Sequence, residues 1–229
     1  MDKDIITVGG RVCAVFSSDP PECLLIQPSG RHEAALLGKE VSHISQLADK
    51  PFAFAACGIA DWNTELSPWE APPAFGNTPF GSGAADTLAY IENELIPALI
   101  AKLGLNEDIP LILGGYSLAG LFALWSAYST DRFRAAAAVS PSLWFPGWLK
   151  YAESRSPSAG SIYLSLGKKE EKTRNAVMSS VGDAVRRQSD ILTAQGVGTV
   201  LEWNEGNHFT EPEIRTAKGF AWCINNTDT

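Results

Sequence analysis

A serine lies in a glycine-rich turn between an apolar strand pattern and an apolar helix pattern. Residues 113–120 read LGGYSLAG, with Ser117 at the turn. A serine exposed on a sharp strand-to-helix turn needs small residues two positions before and two positions after it. Gly115 and Ala119 meet this requirement, although Ala119 replaces the second glycine of the usual pattern. The segment predicts a nucleophile elbow, with Ser117 as the nucleophile and the Leu118 N–H as an oxyanion donor at the helix N-terminus.

Two other interpretations fit the same turn. A serine before a helix can simply cap that helix, and residues 113–120 alone do not separate capping from catalysis. A phosphate-binding loop fits less well, because no lysine follows the glycines. The residues that could act together with Ser117 must therefore decide between these interpretations.

A histidine follows the last strand pattern of the chain. His208 lies in the segment EGNHF at residues 205–209. Histidine titrates in the range needed to accept a serine proton, and hydrolases with a nucleophile elbow carry their triad in the chain order serine, acid, histidine. His32 and His43 precede Ser117 and do not fit this order. We therefore expect His208 to be the general base rather than an ordinary surface histidine.

Two glutamates follow the preceding strand pattern, where the acid of such a triad belongs. Residues 166–172 read LGKKEEK. By analogy with hydrolases that have a nucleophile elbow, the acid comes about three residues after Gly167. This spacing favours Glu170 over Glu171. The alternative is that both glutamates belong to a solvated charged run with the neighbouring lysines.

Short apolar runs alternate with helical patterns along the chain. A β-hairpin is predicted for residues 5–8 and 11–16, and further strands for 23–27, 52–57, 110–113, 135–139, 161–166 and 199–203. Helices are predicted for 40–48, from 86 to a stop at Gly104, for 118–129 and 177–192, and from 210 to 224. Pro97 is expected to kink the second helix, and Thr210 and Glu213 are expected to form a capping box. The alternation predicts an α/β fold, with a mostly parallel central sheet and helices on both faces.

The composition limits the possible partners. The chain has 229 residues, 45% of them hydrophobic and 19% charged, and its net charge is −8. One domain over residues 1–229 is expected. The negative charge argues against nucleic acid and anionic membranes as partners, and no apolar run is long enough to span a bilayer. The four scattered cysteines predict buried, reduced thiols, and no metal site or cofactor is implied.

Residues 1–4 are charged and do not have the layout of a secretory signal. We therefore expect a cytoplasmic protein. The sequence leaves the oligomeric state open.

Four segments carry a resemblance to a known family. They are residues 115–125, the run SPSLW at residues 140–144, residues 167–171 and the run GNHF at residues 206–209. On these segments the chain resembles the putative esterase family related to esterase D and the enterochelin esterases, within the α/β hydrolases. The resemblance implies an α/β-hydrolase fold, roles in catalysis for Ser117, His208 and Glu170, and an active-site floor formed by residues 140–144.

Further site residues are expected around this centre. The loop after the strand at 23–27 supplies a second oxyanion N–H in such folds, which makes Ser29 and Gly30 candidates, although the His-Gly-Gly-Gly form of that loop is missing. Trp144, Trp62 and Trp69 fall after predicted strands and are expected, with Tyr116, to bind the substrate. The alternative is that one or more of these tryptophans fills the core.

The sequence therefore predicts a serine esterase that hydrolyses a small-molecule ester through an acyl-enzyme. A thioesterase or acyltransferase would use the same residues with a different acceptor. A catalytically silent hydrolase fold that serves as a binding module is the alternative from another class. Retention of Ser117, a carboxylate and His208 in the expected order favours an enzyme.

Overall fold

The central feature of the computed structural model is a sheet of eight strands, with residues 1, 3–18, 20–31 and 33–227 described. The strands of the described residues run in the spatial order β1-β2-β4-β3-β5-β6-β7-β8. The first two strands are antiparallel, and all the others run parallel from β4 to β8. Their bounds are β1 Lys3–Val8, β2 Arg11–Ser17, β3 Cys23–Ser29, β4 Phe52–Gly58, β5 Leu111–Tyr116, β6 Ala135–Val139, β7 Ser161–Gly167 and β8 Gly198–Asn204.

Helices cover both faces of this sheet, which confirms the predicted fold class. Their bounds are α1 Leu37–Leu47, α2 Trp62–Glu65, α3 Ala84–Tyr90, α4 Ile96–Leu103, α5 Leu118–Ala127, α6 Trp148–Glu153, α7 Val181–Ala194 and α8 Pro212–Asn225. Helices α1 and α8 bury their apolar residues on one face, where Phe54 and Phe220 meet edge to face. Helices α3 to α7 pack on the other face. The central strands β3, β5 and β6 are therefore buried completely, as their continuous apolar runs predict.

The second predicted helix is interrupted rather than only kinked. Helices α3 and α4 are joined by a π-helical turn, Ile91–Leu95, and Pro97 follows at the start of α4. Proline has no N–H to bond the carbonyl of the residue four positions earlier, so the helix widens by one residue before it.

The predicted capping box at the start of α8 is wrong. The helix begins at Pro212, and the residue before it, Glu211, has a left-handed backbone with φ 50° and caps no N–H with its side chain. The Thr210 Oγ1 instead accepts the Asn207 N–H at 3.1 Å, and the Glu213 carboxylate accepts a 2.6 Å bond from Lys39 of α1. Glu213 thus makes a tertiary contact and Thr210 closes a local turn with Asn207, so neither side chain caps the helix.

The four cysteines are free and buried, as predicted. Within the part of the chain that the structure describes, every helix is too short or too polar to cross a membrane.

Candidate active site

Ser117 lies on a strained turn between β5 and α5. Its backbone has φ 59° and ψ −119°, a region that costs energy for a residue with a Cβ. A Cβ added to Gly115 would lie 2.6 Å from the Cβ of Ala119, so the two positions cannot both carry a side chain. This contact explains why alanine is accepted at the second position as long as Gly115 is retained.

His208 and Glu170 meet Ser117 in one hydrogen-bonded chain. The His208 Nε2 lies 3.0 Å from the Ser117 Oγ. On the other side of the ring, Nδ1 lies 2.7 Å from the Glu170 Oε2. The side chain of His208 is 23% exposed and that of Glu170 only 4%, so the acid is buried and the base faces the solvent-accessible side. The structure thus brings together the three residues that the sequence singled out.

Glu170 occupies a site built for a carboxylate. It begins a short 3₁₀ turn, Glu170–Lys172, three residues beyond the end of β7 at Gly167. Its Oε1 accepts bonds from the Gly167 N–H at 2.7 Å, the Ser140 hydroxyl at 2.8 Å and the Arg215 Nη1 at 3.0 Å. Because Oε1 is already occupied by these donors, Oε2 is the atom that meets the histidine.

The other titratable candidates lie elsewhere. Glu171 pairs with Arg186 at 2.9 Å on the surface, so the charged-run interpretation describes Glu171 and not Glu170. His43 lies in α1, which packs against α8. His32 is outside the described residues.

Tyr116 contacts both the backbone and the ring of His208. Its hydroxyl donates to the backbone carbonyl of His208 at 2.8 Å, and the two rings lie 5.1 Å apart. Burial, followed by the negative charge of Glu170, raises the pKa of Tyr116 to about 12, so the phenol stays protonated. The structure thus places the Tyr116 side chain against the ring and the backbone carbonyl of His208, and its role in substrate binding stays a prediction.

A cavity of about 490 Å³ opens beside His208. Its apolar walls come from Trp144, Met178, Val181 and Phe209, and two lysines, Lys169 and Lys172, line it as well. Phe209 follows His208 directly and is 86% exposed. The site therefore combines a largely apolar recess with positive charge.

Among the three tryptophans predicted to bind substrate, Trp144 lines this cavity. Trp69 instead packs on Phe145 and Tyr151 and donates its indole N–H to the Pro146 carbonyl at 2.8 Å. Trp62 begins α2 and is partly buried against the core. For Trp69 and Trp62 the core-filling alternative describes the contacts that the structure has.

The expected oxyanion donors differ in their availability. Leu118 is the first residue of α5, and the N–H of a first helical residue has no partner within its helix. The Gly30 N–H, in contrast, donates to the Glu33 carboxylate at 2.7 Å, and the Ser29 carbonyl accepts the Ile59 N–H at 3.0 Å. Ser29 is the last residue of β3, so it lies in the sheet rather than in the expected loop, and the N–H of Gly30 is already bound.

Two further residues contact the proposed triad: Ser142, which the sequence named only as part of the expected floor at residues 140–144, and Arg215, which it did not single out. Ser142 donates its N–H to the Ser117 carbonyl at 3.1 Å, and the two hydroxyl oxygens lie 3.4 Å apart. Its only signal is its place in the SPSLW run. Arg215 contacts Glu170 from α8, and its signal is a cationic residue on a buried helix face.

The doubly covered, mostly parallel sheet and the strained serine turn define an α/β hydrolase. The model of the family described as "Putative esterase" matches residues 58–211. The chain therefore belongs to the putative esterase family, and it is an ester hydrolase. A comparison with curated protein sequences finds no match.

Solved structures of esterases share the fold. An IroE-like serine hydrolase from Shewanella oneidensis superimposes with a TM-score of 0.80 at 17% identity, over 98% of this chain and 80% of that one. The siderophore hydrolase EstA from Aspergillus nidulans gives 0.73 at 17% identity, over 98% and 94% of the two chains. An enterobactin esterase from Shigella flexneri gives 0.70 at 15% identity, over 98% and 59%. At these identities the likeness extends to the fold.

Proposed function

We propose that the chain hydrolyses small-molecule carboxylic esters through an acyl-enzyme on Ser117. The observation that carries the proposal is the continuous path from the Ser117 Oγ to His208 at 3.0 Å and on to Glu170 at 2.7 Å. In this arrangement His208 is the general base, and Glu170 fixes the tautomer in which Nδ1 carries the proton and Nε2 is free to accept one.

The path supports a two-step reaction. The Ser117 Oγ attacks the ester carbonyl while His208 takes the hydroxyl proton of Ser117. The oxyanion of the tetrahedral intermediate accepts a hydrogen bond from the Leu118 N–H. The intermediate expels the alcohol, which takes the proton from His208, and the acyl group stays on Ser117. A water molecule then repeats the attack with His208 as base and releases the acid.

The cavity beside His208 supports an apolar acyl or aryl group in the substrate. Trp144, Met178 and Phe209 supply the apolar wall, which suits a group that leaves water on binding. Siderophore esters belong among the candidates, because two of the structurally similar proteins are a siderophore hydrolase and an enterobactin esterase.

The test is ester hydrolysis over a panel of p-nitrophenyl esters from acetyl to dodecanoyl. Ser117→Ala and His208→Ala should each lose activity, by on the order of a million-fold for the nucleophile. Ser129→Ala and His43→Ala are matched controls on the surface and in α1 and should keep it. Near wild-type turnover by Ser117→Ala would refute the proposal, and no turnover by the wild type on any ester would favour a silent binding fold.

A further inference from the structure

Arg215 is a buried cation next to the proposed triad. Its side chain is 3% exposed, and it lies in α8, beyond the segment 58–211 that matches the family model. A guanidinium taken out of water is costly unless it is paired and hydrogen-bonded. The groups around Arg215 must therefore balance its charge and accept its hydrogen bonds.

Arg215 donates to three groups that hold different parts of the site. Its Nη1 reaches the Glu170 Oε1 at 3.0 Å and the Tyr116 hydroxyl at 3.2 Å. Its Nη2 reaches the Glu205 carbonyl at 2.6 Å, at the start of the turn that carries His208. Tyr116 in turn donates to the His208 carbonyl, so Arg215 is connected to both ends of the His208 segment as well as to the acid.

The local backbone leaves room for this pairing. A Cβ added to Gly167 would lie 2.8 Å from both the Arg215 Nη1 and the Glu170 Oε1. Any side chain at Gly167 would thus push the cation and the carboxylate apart. Gly167, the last residue of β7, thus leaves room for the two charges to meet and for the Gly206 carbonyl, which would also lie 2.8 Å from an added Cβ.

We propose that Arg215 is a positioning residue of the active site, which balances the charge of Glu170 and fixes the turn that carries His208. The proposal rests on the proposed function, because it assigns Arg215 a role in the same Ser117–His208–Glu170 reaction. Arg215 does not reach the reacting atoms and acts through its three partners.

If Arg215 balances the charge of Glu170, its removal should change the pH dependence of activity. Loss of packing alone would not have this effect. With Arg215 present, the charges of the cation and the carboxylate cancel, and a neutral imidazole is ready to accept the Ser117 proton. Without Arg215, the uncompensated negative charge favours a proton on the Glu170–His208 pair, whichever of the two holds it. A protonated pair cannot act as the base. As the pH is lowered, the variant must therefore lose activity at a higher pH than the wild type does.

Other charged and titratable groups surround this cluster but stay the same in every variant of Arg215. Those that face it from neighbouring elements are Tyr116 on β5, Lys169 and Lys172 at the cavity, Glu205 with its partner Lys168, and Glu211 and Lys218 beside α8.

Substitutions can separate the charge of Arg215 from its geometry. Arg215→Met removes both. Arg215→Lys keeps the positive charge beside Glu170, but a single ammonium group lacks the fork that spans Glu170, Tyr116 and the Glu205 carbonyl. Arg186→Met is the matched control, because Arg186 pairs with Glu171, the neighbour of the acid, on the surface.

The experiment is the pH profile of kcat/KM and the value of kcat, measured on the best p-nitrophenyl ester of the wild type. In Arg215→Met the acid limb should move to higher pH, and kcat should fall roughly 10²-fold. In Arg215→Lys the limb should stay near its wild-type position while kcat falls. Arg186→Met should change neither quantity.

A profile and kcat for Arg215→Met that equal those of Arg186→Met would overturn the proposal. If Arg215→Met does not fold, Arg215→Lys and Tyr116→Phe decide, since Tyr116→Phe removes only the hydroxyl between Arg215 and the His208 carbonyl. Unchanged kcat in both would equally overturn it. Ser117→Ala and His208→Ala in the same assay distinguish failure of the Arg215 proposal from failure of the proposed function. Activity in these two variants would refute the proposed triad itself.

Discussion

Replacement of Glu170 by glutamine tests the acid with almost no change in size. Three donors face Oε1: the Gly167 N–H, the Ser140 hydroxyl and the Arg215 guanidinium. An amide must therefore place its oxygen toward them and its NH₂ group toward the His208 Nδ1. Nδ1 then becomes an acceptor, the proton moves to Nε2, and Nε2 is no longer able to take the proton of Ser117.

The expected loss is large because the wrong tautomer is forced rather than merely permitted. An amide in place of a triad acid lowers kcat about 10⁴-fold, which corresponds to about 5 kcal/mol of transition-state stabilisation. Glu171→Gln is the control one residue away. It breaks a partly exposed pair with Arg186, and such pairs contribute at most about 1 kcal/mol to stability and nothing to the tautomer.

The assay is kcat for both variants on one ester, with circular dichroism to establish that each is folded. Glu170→Gln within tenfold of wild type would refute the reasoning. Equal, mild losses in both variants would indicate a serine–histidine dyad or an acid elsewhere in the chain.

Two further predictions concern stability and the cavity. Burial raises the pKa of Glu40, next to Gln27, well above its usual value, so the folded protein keeps a proton that the unfolded chain releases, and wild-type stability falls as the pH rises through this interval. Glu40→Gln cannot ionise, and its Tm should exceed that of the wild type at pH 8 but not at pH 4; equal Tm differences at both values would contradict this. Trp144→Ala should change the preference among acyl chains, because its ring lines the cavity, with a smaller loss of Tm than Trp148→Ala, whose ring is fully buried. Unchanged kinetics on every ester would remove Trp144 from the pocket.

The fold and the proposed triad were accessible from sequence because their signals are local. Ser117 directly follows β5, while Glu170 and His208 come three and four residues after the ends of β7 and β8. Parallel strands end at one edge of the sheet. The chain order therefore sufficed to place them together. The distance of three residues from Gly167 selected Glu170, which the structure places at the histidine.

The features of the site that could not be predicted from sequence depend on contacts between residues distant in sequence. Arg215 contacts partners 45 and 99 residues away, and no sequence motif around Arg215 predicts these contacts. Trp69 follows a strand as Trp144 does, but it contacts the Pro146 carbonyl 77 residues away. The capping box failed for the same reason, since Glu213 binds Lys39, 174 residues distant, rather than its own helix end.

Covalent labelling with a fluorophosphonate tests the central claim most directly, because only an activated serine displaces the fluoride. Intact mass followed by peptide mapping gives the number and position of the adducts. We expect one adduct on Ser117 in the wild type, none in Ser117→Ala and much slower labelling in His208→Ala. An adduct on another serine, or labelling that Ser117→Ala leaves unchanged, would contradict the account.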